Sequence, residues 1–256
     1  MEIRILGAHD CEAQDIKPVT LLIDDTLAID AGALTSSLTL AAQFELDAIL
    51  LTHQHYDHIR DIPAIAMNAL LHETTINVYS IQKVYDALSN YLLNDQIYPD
   101  FFNRPEGKPT INFTLMPPYE SQQVAGYDLL TIPVNHSVAA VGYQITSPDG
   151  KTLFYTGDTG PDLADCWRQI SPHLIIIELT APNRYEQFCR DKGHLTPSLL
   201  ANELECFRKL KGYLPPVVTV HMNPGQEKEI AAEVAALTDS SDYPIRLAQE
   251  NMLIKL

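Results

Sequence analysis

The seven residues Thr52-His53-Gln54-His55-Tyr56-Asp57-His58 follow directly on an apolar run, Ala48 to Leu51, and set three imidazoles and a carboxylate within six positions. From composition alone, a match to H-x-H-x-D-H arises in fewer than about one chain in a thousand. Extended backbone points alternate side chains the same way, so His53 and His55 face one point. A turn then brings Asp57 and His58 toward a second, neighbouring point. One short segment can thus serve two metal ions, and the chain must bury the preceding strand while leaving its end open to a polar site.

The remaining pattern supplies such a frame. Strand-like runs at Glu2–Leu6, Thr20–Ile23 and Leu27–Ile29 lead to the turn signal Asp30-Ala31-Gly32. Ser36 or Ser37 is placed to cap a helix through Phe44. Further helices are expected at Ile62–Leu71 and Ile81–Leu92 around a strand at Ile76–Tyr79, and the irregular stretch Asn94–Pro109 reads as a substrate wall. In the second half, strands at Asp128–Pro133, Ala139–Thr146, Thr152–Tyr155, Leu174–Glu178 and Pro216–Val220 mix with helices at Pro161–Gln169, Thr196–Lys209 and Gln226–Leu237. Two β-rich halves that each add helices predict a single α/β (α+β) domain over residues 1–256. Its expected form is a four-layer αββα sandwich with functional loops along one edge.

Charge narrows the function. With 17 Lys and Arg against 33 Asp and Glu, the formal net charge is −16. Such a field repels long polyanions, so nucleic-acid binding is disfavoured. A small phosphate ester is less affected, because bound cations reverse the local field where it docks. No run of twenty apolar residues is present to span a bilayer. Cys11, Cys166, Cys189 and Cys206 form no CxxC pair, and the opening residues carry no signal-peptide pattern. The expectation is a soluble cytoplasmic protein with reduced thiols and no membrane partner. The oligomeric state is left open, a homodimer being one option.

Three further candidates stand at strand-to-loop junctions: His136 after Leu129–Val134, Asp158 after Leu153–Tyr155, and His221 after Val217–Val220. In this order the set resembles the metallo-β-lactamase superfamily over essentially the whole chain. The resemblance implies that His53, His55 and His136 hold one metal, Asp57, His58 and His221 a second, and that Asp158 bridges them. Within the superfamily, Asn94-Asp95-Gln96-Ile97-Tyr98-Pro99-Asp100-Phe101, Gly157-Asp158-Thr159-Gly160-Pro161-Asp162, Ile177-Glu178-Leu179-Thr180 and Gly193-His194-Leu195-Thr196-Pro197 look like segments of the class II cyclic-nucleotide phosphodiesterases. The chain departs from that family at Tyr56, where Leu is frequent, at Asp61, where Gly is common, and at Tyr98, where Trp often stands.

The resemblance implies a hydrolase that uses two metal ions, zinc first, with iron or manganese as alternatives, on a small phosphodiester substrate. Two cations about 3.5–4 Å apart generate a nucleophile from water and need no Ser or Cys. His194 and Asp57 are the candidate catalytic side chains, His194 by contacting the phosphate or protonating the leaving oxygen. Tyr98, Phe101 and Phe102 are candidates for stacking on a base. His9, His72 and His173 show no partner pattern. Two other readings share the ligands: a non-hydrolytic di-iron protein that binds oxygen, since imidazole and carboxylate also suit iron, and an RNA-processing nuclease, against which the net charge counts.

Overall fold

The computed structural model describes residues 1–241 and 243–256. Its central strands run almost entirely buried on both faces, which is why they read in the sequence as apolar runs. In the first half these are β1 (Glu2–Gly7), β2 (Thr20–Ile23), β3 (Leu27–Ile29), β4 (Ala48–Leu50), β5 (Ile76–Ser80) and β6 (Ile111–Leu115). The second half contributes β7 (Ser121–Val124), β8 (Tyr127–Val134), β9 (Ala140–Thr146), β10 (Thr152–Tyr155), β11 (Leu174–Glu178), β12 (Val217–Val220) and β13 (Ile245–Leu247), and the chain closes with β14 (Met252–Lys255).

Two seven-stranded mixed sheets result, ordered β14-β1-β2-β3-β4-β5-β6 and β13-β12-β11-β10-β9-β8-β7. Each is antiparallel on one side and parallel on the other, the parallel pairs running from β3 to β6 and from β10 to β13. Alternate residues divide between two apolar layers. Ile5, Leu21, Ile29 and Leu50 point inward to meet Leu129, Tyr143, Tyr155, Ile176 and Val220 of the facing sheet. Leu6, Leu22, Ile49 and Val78 point outward beneath the helix Ile62–Leu71, while Ile175, Ile177 and Val217 pack under the helices Ala164–Gln169 and Pro197–Lys211. Helices outside two packed sheets make the expected αββα sandwich. No described helix is long and apolar enough to cross a membrane.

Several local expectations are corrected. In place of one helix capped by Ser36 or Ser37 there are two, Leu34–Ser37 and Leu40–Phe44. The second is capped by Thr39, whose side chain accepts from the Ala42 amide. The segment expected as helix over Ile81–Leu92 is α-helical only at Gln82–Ala87 and then widens to a π-helix over Leu88–Leu92. The helix expected from Pro161 begins at Ala164, because Asp162, with φ 74°, breaks the backbone. The substrate wall expected at Asn94–Pro109 is instead an apolar plug. Phe101 is fully buried, Tyr98 and Phe102 pack against the core beneath them, and Phe102 also meets Tyr85 at 4.9 Å. Phe101 is thereby committed to packing, while Tyr98 and Phe102 are half-buried.

His9, which showed no partner pattern in the sequence, is a clasp. Its ring is buried, with Nδ1 2.6 Å from Glu250 Oε1 and Nε2 2.5 Å from Glu227 Oε1. Burial works against its charge, but the two carboxylates raise its pKa above the usual imidazole value, and Glu250 is lowered in return. A raised pKa adds stability that is fully present below the unfolded value of about 6.5 and is lost as pH rises through the folded value. His9→Gln is therefore expected to cost about 1–3 kcal/mol near pH 6, with the deficit shrinking at alkaline pH. Denaturant melts of both proteins at pH 6 and pH 9 check this.

Candidate metal centre

Parallel strands gather the functional residues at one edge, since all end on the same side and their following loops lie together. His53, His55, Asp57 and His58 follow β4, Asp158 follows β10, Glu178 ends β11 and His221 follows β12. His136 comes in from the antiparallel side, after β8. Two non-glycine residues take left-handed backbone to aim their side chains here, Asp30 at φ 59° and His221 at φ 67°. The two sheets are tied together beside the site by the Val141 amide donating to the Thr52 carbonyl and by the Tyr143 hydroxyl donating to the Leu51 carbonyl.

All seven expected ligands converge. The ligating atoms of His53, His55, His136 and Asp158 lie within 4.8 Å of one another, as do those of Asp57, His58 and His221. Asp158 stands between the groups: Oδ1 is 3.2 Å from His58 Nε2, while Oδ2 is 3.3 Å from His221 Nε2 and 3.7 Å from His53 Nε2. Asp57 Oδ2 lies 3.4 Å from both His58 Nε2 and His221 Nε2. His55 presents Nδ1, 3.1 Å from His136 Nε2.

The donor set fits metal on an observation independent of spacing. His53 Nε2, His58 Nε2 and Asp158 Oδ1 are buried and make no well-formed hydrogen bond among the described residues, although the last two lie 3.2 Å apart. Such orphaned atoms are costly unless something else satisfies them. The opposite ring nitrogen is held in each case. His53 Nδ1 is 3.0 Å from Thr52 Oγ1, His58 Nδ1 2.8 Å from Asp30 Oδ2, His136 Nδ1 2.8 Å from the Gly193 carbonyl and His221 Nδ1 2.9 Å from Thr180 Oγ1. Anchoring Nδ1–H leaves the Nε2 lone pair facing inward, the usual way a protein orients imidazole ligands. Nitrogen and oxygen donors of this kind suit zinc, iron or manganese.

Electrostatics agree. Burial would raise both central carboxylates, but His221 and His58 hold Asp57 and Asp158 well below the usual carboxylate range, so both are anionic. Burial lowers His53, His55 and His136, which leaves them neutral and able to ligate. His58 and His221 are raised against burial by Asp158, His221 to about 9. Their protons leave as cations arrive, so metal uptake releases protons.

Two supporting carboxylates, Asp30 and Glu178, were given no role at the site by the sequence. Asp30, fully buried, accepts from the Thr52 amide and hydroxyl, from Tyr155 Oη and from His58 Nδ1. Glu178 takes His194 Nδ1 at 2.7 Å and the Thr180 hydroxyl at 2.9 Å. Each polar residue ends or follows an apolar strand, which is the signal that could have found it. An amide at position 30 cannot accept from four donors. Asp30→Asn is therefore expected to weaken metal binding by about 10–100-fold, as checked by competition with a chelating dye.

A cavity of about 390 Å³ opens on the centre, lined by Asp10, His55, Asp57, Ser137, Asp158, Thr180, Phe188, Lys192, His194 and His221. None of these comes from Asn94–Pro109. His194 is at the wall, its ring stacked on His221 at 5.4 Å. It also falls within 4.8 Å of Asp158 and His221, close enough to be considered as a ligand itself.

The model of the beta-lactamase superfamily domain matches residues 22–236. The chain belongs to that superfamily. Among curated relatives, the chain is 26% identical over 207 residues to a probable 3′,5′-cyclic-nucleotide phosphodiesterase of Yersinia pestis, a match covering 70% of this chain and 57% of that relative. Among solved structures, unliganded yeast PDE1 is similar with a TM-score of 0.84 at 17% identity, over 100% of this chain and 99% of that one. Human tRNase Z, short form, gives 0.69 at 16% identity over 100% and 99%. At these identities the two structures establish the shared fold. The chain spans little more than half of the Yersinia pestis relative's length, and the superfamily membership and the His/Asp cluster together make the site one that can hold metal.

Proposed function

We propose that the protein is a binuclear phosphodiesterase that opens 3′,5′-cyclic nucleotides to 5′-monophosphates. The observation that carries this reading is the pairing of two ligand groups about one shared carboxylate, Asp158, at the floor of a cavity sized for a single small ligand. The similarity to the Yersinia pestis relative supports the substrate class. The net charge of −16 favours a small phosphodiester over a long polyanion.

Two divalent cations, when bound, supply Lewis-acid stabilisation of the phosphate and lower the pKa of the attacking water. His53, His55 and His136 would hold one, Asp57, His58 and His221 the other, with Asp158 serving both. Asp57, anionic and facing the cavity, accepts the proton of that water. His194, its Nδ1–H held by Glu178, turns Nε2 toward the cavity and protonates the departing 3′-oxygen.

Elemental analysis of freshly purified protein, combined with assays on cyclic nucleotides, aryl phosphodiesters and structured RNA, tests the reading. Two metals per chain and preferential cleavage of a 3′,5′-cyclic nucleotide are expected. A fully metallated protein that is inactive on every cyclic nucleotide yet cleaves another ester, or a coloured protein whose absorption follows oxygen, overturns it.

A further inference from the structure

The helix Glu186–Lys192 supplies two cavity residues that the ligand set does not use, Phe188 and Lys192. Four positions apart, they lie on one face of the helix. Phe188 is 57% exposed and makes no ring contact among the described residues, so it leaves apolar area in water beside a polar site. Lys192 is the only Lys or Arg among the cavity's lining residues, which include the carboxylates Asp10, Asp57 and Asp158. The nearby acidic side chains are already engaged, Glu186 by Arg190 and Asp191 by Gln187, and Lys192 Nζ has no acceptor among the described residues.

The helix is also fixed relative to the metal ligands. Gly193 ends it in the left-handed region at φ 74°, and its carbonyl accepts from His136 Nδ1. A Cβ at this glycine would stand 2.7 Å from the His136 Cα, so only glycine lets the helix end approach the ligand loop so closely. Lys192 and Phe188 are thereby held at a set distance from the site where a phosphate docks. An isolated exposed aromatic or a lysine at a helix C-terminus needs no functional explanation. Their joint placement on one wall of the metal cavity does.

We propose that Lys192 and Phe188 are the recognition pair for a mononucleotide: the ammonium pairs with a phosphate oxygen and the ring stacks on the base. Stacking on a phenyl ring is tolerant of base identity, so the pair selects nucleotides without choosing among bases. This rests on the phosphodiesterase reading above and names the residues that recognise its substrate.

Calorimetric titration of the metal-loaded protein with AMP and GMP tests the pair apart from turnover. Lys192→Ala and Phe188→Ala are each expected to weaken both nucleotides by about ten-fold or more, with Lys192→Arg restoring most of the loss. Inorganic phosphate separates the two roles, its affinity falling in Lys192→Ala and holding in Phe188→Ala. Wild-type nucleotide affinity in both alanine variants overturns the pair, as does a loss of affinity that tracks a loss of metal. If the wild-type protein binds AMP with these dependences but opens no cyclic nucleotide, the recognition pair stands and the catalytic reading fails.

Discussion

Replacing Asp158 with Ala is expected to bring metal content below one ion per chain and to lower hydrolysis by roughly 10³-fold or more. Asp158 reaches both ligand groups: one oxygen is 3.2 Å from His58 Nε2, and the other is 3.3 Å from His221 Nε2 and 3.7 Å from His53 Nε2. Asp158 is fully buried and anionic, and its charge is the main reason that His58 and His221 are raised despite burial. On the binuclear reading, removing it would take the shared counter-charge from both cations at once and leave neighbouring imidazoles to repel them. Asp158→Asn keeps the shape and removes the charge, so it should fall between Ala and wild type. Elemental analysis after dialysis reads the stoichiometry, and a circular dichroism melt shows whether the chain still folds. A folded Asp158→Ala protein that retains two metals would show that the carboxylate is not shared.

What could be read from the sequence follows the physics of each element. The ligand cluster was legible because four donors fall within six positions after one apolar strand, and β4, β10, β11 and β12 were legible because burial on both faces leaves unbroken apolar runs. The edge strands were not. β6, β7, β13 and β14 each expose alternate or successive residues, and Ser121-Gln122-Gln123-Val124 has no apolar periodicity at all. The support of the site was hidden for a different reason. Asp30 reads as a turn residue until the fold brings it to Tyr155, 125 residues away. The cavity wall was sought at Asn94–Pro109 because the stretch is long and irregular, yet its aromatic rings pack on the core. The wall that shares the cavity with the candidate ligands includes Phe188 and Lys192 of the polar, surface-like helix Glu186–Lys192, whose sequence gives no hint of a cavity.

His194→Ala is expected to leave two metals bound and to lower kcat by about 10²- to 10⁴-fold on a cyclic nucleotide, the usual worth of general acid help. The side chain is positioned for that role by a chain of hydrogen bonds rather than by the metals. Glu178, buried at the end of β11, takes Nδ1 at 2.7 Å, and the same carboxylate accepts from Thr180, which in turn meets His221 Nδ1. Burial alone would lower His194, but Glu178 raises it, so the ring stays protonated to higher pH than an ordinary imidazole and holds a proton to give. The departing 3′-oxygen of a nucleotide is a poor leaving group and needs that proton. An aryl phosphodiester releases a stable phenolate and needs it less, so its loss should be clearly smaller. Equal losses on the two substrates would assign His194 to holding the phosphate instead. Because His194 also lies within 4.8 Å of Asp158 and His221, metal content decides a third case: loss of an ion from the variant would make His194 a ligand and reduce the independent role of the other seven.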